Sequence, residues 1–334
     1  LKVDPVNPDP DLIRRAAAVI RAGGLVAFPT ETVYGLGANA LDPAAVARIF
    51  EAKGRPATNP VIVHIGEIMG NAAAADGYEV FAVAARWPAA AARLAARFWP
   101  GPLTLVVPKS DAVPGAVTAG GATVAVRCPN HPVARALIRA AGVPIAAPSA
   151  NRSTELSPTR AEHVRQSLNG RIDFLLDGGP CTAGIESTVV DVTGAFPRVL
   201  RPGPITVPML EEACGRVEFG ATGEGVARSP GQMAKHYSPR TPVALADGAA
   251  HAARLQSRGR AGGSRVVALG FDVTRELETT YRRMPGTPEA YAADLYAVLH
   301  ETDRAGWDLI VVEMPPDEPA WAAVRDRLLR AAAE

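Results

Sequence analysis

The sequence is poor in the features that mark several common protein classes. Its 334 residues hold three cysteines, Cys128, Cys181 and Cys214, far apart and without a CxxC pair. That spacing argues against a disulfide scaffold or a zinc site and for a reducing compartment. Aromatic residues make up 5% of the chain and the formal net charge is +1, so a basic face with stacking aromatics is not expected. A local basic pocket remains compatible with that balance. No apolar run reaches the length of a membrane span, and residues 1–5 show no charged-then-apolar leader pattern. The expected location is the cytoplasm, without membrane contact. The chain also lacks a GxxxxGK[ST] phosphate loop, a GxGxxG turn after a strand, HExxH and GxSxG. A nucleotide, if bound, must be held by other means.

What is present is a mixture of strand and helix signals. Asp9-Pro10 opens a helix with an acceptor cap and a first-turn proline, and Gly23-Gly24 stops it. Strands are expected at 25–28, 61–65, 103–107, 123–127, 173–176, 187–192 and 198–201, with helices after Asp42-Pro43, at about 80–97 and at 132–141. Their order does not alternate strictly, so the expected fold is an α/β domain with a twisted, mixed sheet. From 215 to 241 the pattern loosens into a linker. Beyond it, strands at 243–246, 265–270 and 309–313 alternate with helices at 249–257, 288–305 and 319–332. That order predicts a small parallel, Rossmann-like sheet. The expected division is a catalytic domain over 1–214, a linker or lid over 215–241 and a second domain over 242–334.

Several segments carry chemistry-bearing residues at strand ends. Pro29-Thr30-Glu31-Thr32-Val33-Tyr34-Gly35-Leu36-Gly37 follows the apolar run 25–28, which reads as a polar turn or as a binding loop on a rigid strand. Lys53 and Arg55 flank Gly54 at a helix end. They fit a solvated cationic terminus or an anion clamp. Ser149-Ala150-Asn151 follows an apolar strand, as a cap or as ligand-binding groups at a strand's C-terminal end. Arg127 and Arg201 each close a strand, and together with Lys53 and Arg55 they would grip something polyanionic. His64 sits among apolar strand residues, where a satisfied core histidine is the ordinary reading. His236-Tyr237-Ser238-Pro239 places an aromatic, polar cluster inside the linker, and this argues for function.

Taken together, these segments resemble the Sua5/YrdC/YciO family in its two-domain Sua5 form, whose members are L-threonylcarbamoyladenylate synthases. The match is carried by Pro29–Gly37, Lys53-Gly54-Arg55-Pro56 with Asn59-Pro60, Trp99-Pro100-Gly101-Pro102-Leu103-Thr104 and Val126-Arg127-Cys128-Pro129. It continues through Ala147–Asn151, Gly184-Ile185-Glu186-Ser187-Thr188-Val189, Leu200-Arg201-Pro202-Gly203, Ser229-Pro230-Gly231 and the 236–239 cluster. Two stretches depart from the family pattern: Ser153-Thr154 replaces a Ser-Gly pair, and Gln232-Met233-Ala234-Lys235 replaces a Met-Lys-Tyr-like stretch.

The resemblance implies a YrdC-like domain with an open cationic cavity. It implies condensation of L-threonine, bicarbonate or CO₂ and ATP to threonylcarbamoyl-AMP with release of pyrophosphate, a nucleotidyltransferase reaction serving t⁶A formation in tRNA. A threonylcarbamoyl transferase would consume the product, Mg²⁺ would assist at the phosphates without a protein metal site, and weak tRNA contact is possible. By matching position, threonine would meet Thr32, His64, Arg127, Ala147 and Ser187, with Arg127 on its carboxylate. ATP would meet Lys53, Arg55, Asn59, Thr123, Ser149, Asn151, Ser157, Arg201 and Tyr237, with Tyr237 folding over as a lid. Lys53, Arg55, Ser149 and Asn151 form the family's catalytic set. The rivals are an RNA-binding YrdC-like module, a related carbamoyl-adenylate chemistry and a Rossmann-type dinucleotide enzyme. Near-neutral charge and few aromatics count against the first, and the missing glycine fingerprint against the last.

Overall fold

The computed structural model describes residues 1–66, 78–220, 237–271 and 280–333. Its strands are β1 (Val26–Phe28), β2 (Gly35–Asn39), β3 (Ile62–His64), β4 (Leu103–Pro108), β5 (Thr123–Arg127), β6 (Ile145–Ala146), β7 (Phe174–Leu175), β8 (Thr188–Asp191), β9 (Arg198–Arg201) and β10 (Glu218–Phe219) in the first unit. The second unit adds β11 (Val243–Ala246), β12 (Val266–Gly270), β13 (Tyr281–Arg283) and β14 (Leu309–Glu313).

The first ten strands form one sheet in the order β10-β9-β8-β4-β5-β3-β6-β2-β1-β7. Parallel and antiparallel pairs are mixed, as the irregular alternation of elements predicts. Its central strands read as continuous apolar runs because both faces are covered. Leu105 and Val107 of β4, with Val124 and Val126 of β5, join the main core. Val106 and Ala125, between them, join Ile62 and Val189 in a small cluster on the opposite face. The two-residue period then carries that second face from Ile62 to His64 along β3 and from Ala125 to Arg127 along β5. The thinly covered face therefore ends in polar side chains, and the cleft opens there.

The second unit holds an entirely parallel sheet in the order β11-β14-β12-β13. Its core is continuous with the first unit: Val33, Leu156, Ile185 and Tyr237 pack in one cluster with Tyr291, Leu295, Tyr296, Trp321 and Leu328. Among the described residues, no helix is long and apolar enough to cross a membrane.

Four expectations are corrected. The helix expected over 80–97 is two helices, Tyr78–Val83 and Ala89–Phe98, with Pro88 at the N-cap of the second. A proline disfavours helical geometry in the residue before it and has no N–H to donate, so the chain restarts there. Residues 35–39 are a strand, not only a loop. The first sheet runs on into the stretch expected as linker, since β10 pairs with β9. The last helix starts as a 3₁₀ turn at Pro319–Trp321 before Ala322–Ala331. Residues 229–231 and His236 of the linker motifs lie outside the described residues.

Candidate active site

A cleft opens where these strands end, lined by Thr32, Arg55, His64, Arg127, Ser149 and Arg201 among others, with Ala147, Glu186, Ser187 and Tyr237 on its walls. The lining falls into two groups.

The first group surrounds Arg127, at the end of β5. Its Nη1 donates to Thr32 Oγ1 (2.8 Å), its Nε to the Gly101 carbonyl (3.2 Å), and its Nη2 pairs with Glu31 Oε1 at 2.7 Å. Thr30 ties the loop: its Oγ1 donates to the Val33 carbonyl and lies 2.8 Å from Thr32 Oγ1. His64 sits one strand away, paired in register with Arg127 and edge-on to Phe28. Burial first, and then the Arg127 charge, push its pKa down to about 3. The imidazole is therefore neutral at physiological pH.

The second group surrounds Arg201, at the end of β9. Its Nε and Nη2 both donate to the Ser187 carbonyl (3.1 and 3.0 Å), and Nη2 also reaches Ser187 Oγ at 3.2 Å. Ser187 Oγ lies 2.7 Å from Thr104 Oγ1. Tyr237 enters from the linker with φ +61° and brings its hydroxyl to 3.5 Å from Arg201 Nη1. Arg55 lies on the same side, donating to the Asn59 and Pro60 carbonyls (3.2 and 2.9 Å). Burial, followed by attraction to Tyr237 and repulsion from Arg201, leaves its pKa lowered to about 10, still a cation.

Lys53, expected to meet phosphate directly, is 2% exposed and behind the wall. Its Nζ donates to the carbonyls of Ser149 (2.6 Å) and Asn151, which fastens the 149–151 loop to the helix end. That loop is also stitched to the strand segment 34–36: Ala150 N donates to Tyr34 O, Leu36 N to Pro148 O, and Gly35 bridges Ser149. Burial pushes the Lys53 ammonium well below its ordinary pKa, and Arg55 adds to that.

The expected set is thus split. Thr32, Arg55, His64, Arg127, Ala147, Ser149, Ser187, Arg201 and Tyr237 share the cleft. Lys53, Asn59, Thr123, Asn151 and Ser157 stand outside its lining. Asn151 Nδ2 donates to the Arg152 and Glu155 carbonyls, and its buried Oδ1 has no hydrogen-bond partner among the described residues. Ser157 Oγ donates to Glu186 Oε1 at 2.5 Å. Arg127, expected to be kept for a ligand carboxylate, already carries Glu31.

Sequence reasoning passed over Glu31 and Glu186 as functional groups. A carboxylate among so many cations must have a partner, and that was the available signal. It also passed over Arg327 and Tyr296, which no motif marks.

Comparison with known proteins bears on this cleft. Residues 18–203 match a family model named for Sua5, YciO and YrdC and described as telomere recombination. Residues 205–333 match the model of the threonylcarbamoyl-AMP synthase C-terminal domain. A threonylcarbamoyl-AMP synthase of Pyrococcus abyssi is 44% identical, aligned over 96% of this chain and 93% of its own length. One from Bacillus subtilis is 42% identical over 98% and 95%. The crystal structure of P. abyssi Sua5 complexed with L-threonine superposes with a TM-score of 0.90 at 41% identity, covering 99% of this chain and 97% of that one.

Proposed function

Because the chain belongs to the Sua5/YciO/YrdC family in its two-domain, threonylcarbamoyl-AMP synthase form, we infer that its cleft joins L-threonine, a one-carbon acid and ATP into threonylcarbamoyl-AMP. The observation that supports this reading is the division of one cleft into an Arg127 group and an Arg201–Arg55 group. The first suits a small amino acid, the second a polyphosphate.

In this proposal the one-carbon species is bicarbonate or CO₂. The neutral threonine amine attacks carbon, giving a carbamate with loss of water or a proton. A carbamate oxygen then attacks the α-phosphorus of ATP, and pyrophosphate leaves, so the step is a nucleotidyl transfer. Arg127 holds the threonine carboxylate on donors left beside Glu31, which fixes the plane of the guanidinium. His64, being neutral, approaches the amine without repelling it and offers a hydrogen bond. Thr32 and Ser187 read the side-chain hydroxyl; valine leaves those groups unpaired, so it is rejected. Arg201 and Arg55 face the charge that develops on the phosphates. Tyr237 covers them, keeping the carbamate and the adenylate from water. Ser149 completes the nucleotide side on the cleft wall. Asn59, Asn151 and Ser157 act from behind it, on Arg55, on the 149–155 loop and on Glu186, and Thr123 is assigned to the nucleotide by its family position alone. Lys53 acts by holding the 149–151 loop.

Mg²⁺ would be carried by the triphosphate and would supply neutralisation of its charge, with no side chain of the cleft assigned to it. The donor set fits that route: Glu186, a carboxylate on the wall, has both oxygens engaged, by Ser157 and by Arg327 with Tyr296. The product then passes to a threonylcarbamoyl transferase, and any contact with tRNA is weak.

Pyrophosphate release from ATP tests the reading. Release is expected only when threonine and bicarbonate are both present, with valine at least about 100-fold poorer. Release indifferent to threonine would sink it.

A further inference from the structure

Arg327, on the helix Ala322–Ala331 of the second unit, has a side chain with no exposed surface. It does not line the cleft. Its Nε donates to Glu186 Oε2 at 2.7 Å and its Nη1 to the Pro202 carbonyl at 3.1 Å. Nη2 lies 3.5 Å from the Glu186 carbonyl, and Cζ stands 5.2 Å from the centre of the Tyr237 ring. Asp326 holds Nη1 from behind at 2.8 Å, and Tyr296 Oη adds a second bond to Glu186 Oε2 at 3.2 Å.

These contacts bracket one feature. Glu186 immediately precedes Ser187, whose carbonyl accepts two bonds from Arg201, and Pro202 immediately follows Arg201. One guanidinium therefore ties together the entry of β8 and the exit of β9, while its Cζ lies over the Tyr237 ring. A planar fork can do this at several points; an ammonium cannot.

We propose that Arg327 is a positioning residue for the nucleotide side of the cleft, setting Arg201 and Tyr237 from the second domain. This rests on the function read above. The second domain is then part of the nucleotide site and not only a scaffold beside it. Among the described residues, Arg127, Thr32 and Glu31 share no hydrogen bond or ion pair with Arg327, so the group that would hold the threonine carboxylate does not depend on it, while Ser187 borders its contacts through Glu186 and Arg201.

The test compares Arg327→Lys, Arg327→Met and the double variant Glu186→Gln/Arg327→Met with Arg304→Ala in the full-length protein. Arg304 also crosses between the units, pairing with Glu162 at 2.9 Å, but lies away from the cleft. Arg327→Lys is expected to lower kcat/KM for ATP at least ten-fold, with L-threonine affinity, measured without ATP, within two-fold of the parent. Arg304→Ala is expected to stay within two-fold on both. The double variant removes the stranded carboxylate that would otherwise cost Arg327→Met its folding, and it is expected to be folded and still impaired with ATP. Wild-type kcat/KM for ATP in Arg327→Lys and the double variant would overturn the proposal. So would an equal loss in Arg304→Ala, or threonine and ATP affinities falling together. If the parent itself released no pyrophosphate with threonine, the functional reading would fail; ATP affinity by calorimetry would still decide the role of Arg327.

Discussion

Gly184→Ala probes the contact between the two units at a single atom. Gly184 has φ +72°, and a Cβ there would lie 2.3 Å from the Ala292 carbonyl oxygen and 2.5 Å from both Cα and the carbonyl oxygen of Ala293. Those atoms are backbone of the helix Pro288–Arg304, so no side chain can swing aside to make room. Two costs add: about 1–2 kcal/mol for placing a Cβ in the left-handed region and about 1–3 kcal/mol for overpacking. Gly54→Ala separates them. Gly54 has φ +59° and nothing within 4 Å of the added Cβ, so it carries the first cost alone. Urea unfolding is expected to show Gly54→Ala about 1–2 kcal/mol and Gly184→Ala about 2–5 kcal/mol below the parent. If the two variants matched in stability, the close approach of the units at Gly184 would be refuted.

The other expectations concern pH and the cleft. His64 has its folded pKa depressed to about 3, so it protonates in the unfolded chain before it does in the fold. Its stabilisation is complete above about pH 6.5 and is lost as pH falls toward 3. Between pH 7 and 5.5 this group alone is expected to cost about 1 kcal/mol of unfolding free energy. His163 and His300, lowered to about 3 and about 4 by burial, act in the same direction. Unfolding at the two pH values should show a smaller loss for His64→Gln than for the parent, and an equal loss contradicts the assignment. Arg55→Ala is expected to lower threonine-dependent pyrophosphate release by about 100-fold or more, with circular dichroism unchanged; near-parental turnover would remove Arg55 from the nucleotide side.

The strands were legible wherever apolar runs ended in turn residues: β4, β5, β9, β11 and β14 stand within a residue of their expected bounds. The motif segments at strand ends also disclosed most of the cleft lining, because groups that bind must be polar, and polar groups at strand tips stand out against apolar runs. Burial direction did not show in the same way. Lys53 reads from sequence as a cation free to meet phosphate, yet the helix end turns it onto two carbonyls. Arg127 reads as an open fork, yet Glu31 from a neighbouring loop meets it.

Local sequence alone determined the strands, the turns and the types of group at each strand tip, since propensity and hydrophobic period act over a few residues. Only the tertiary structure decided which charges face which. Arg327 lies 141 residues from Glu186 and carries no motif of its own. Its role follows from the docking of two units, a matter of packing between surfaces that no short stretch of chain encodes.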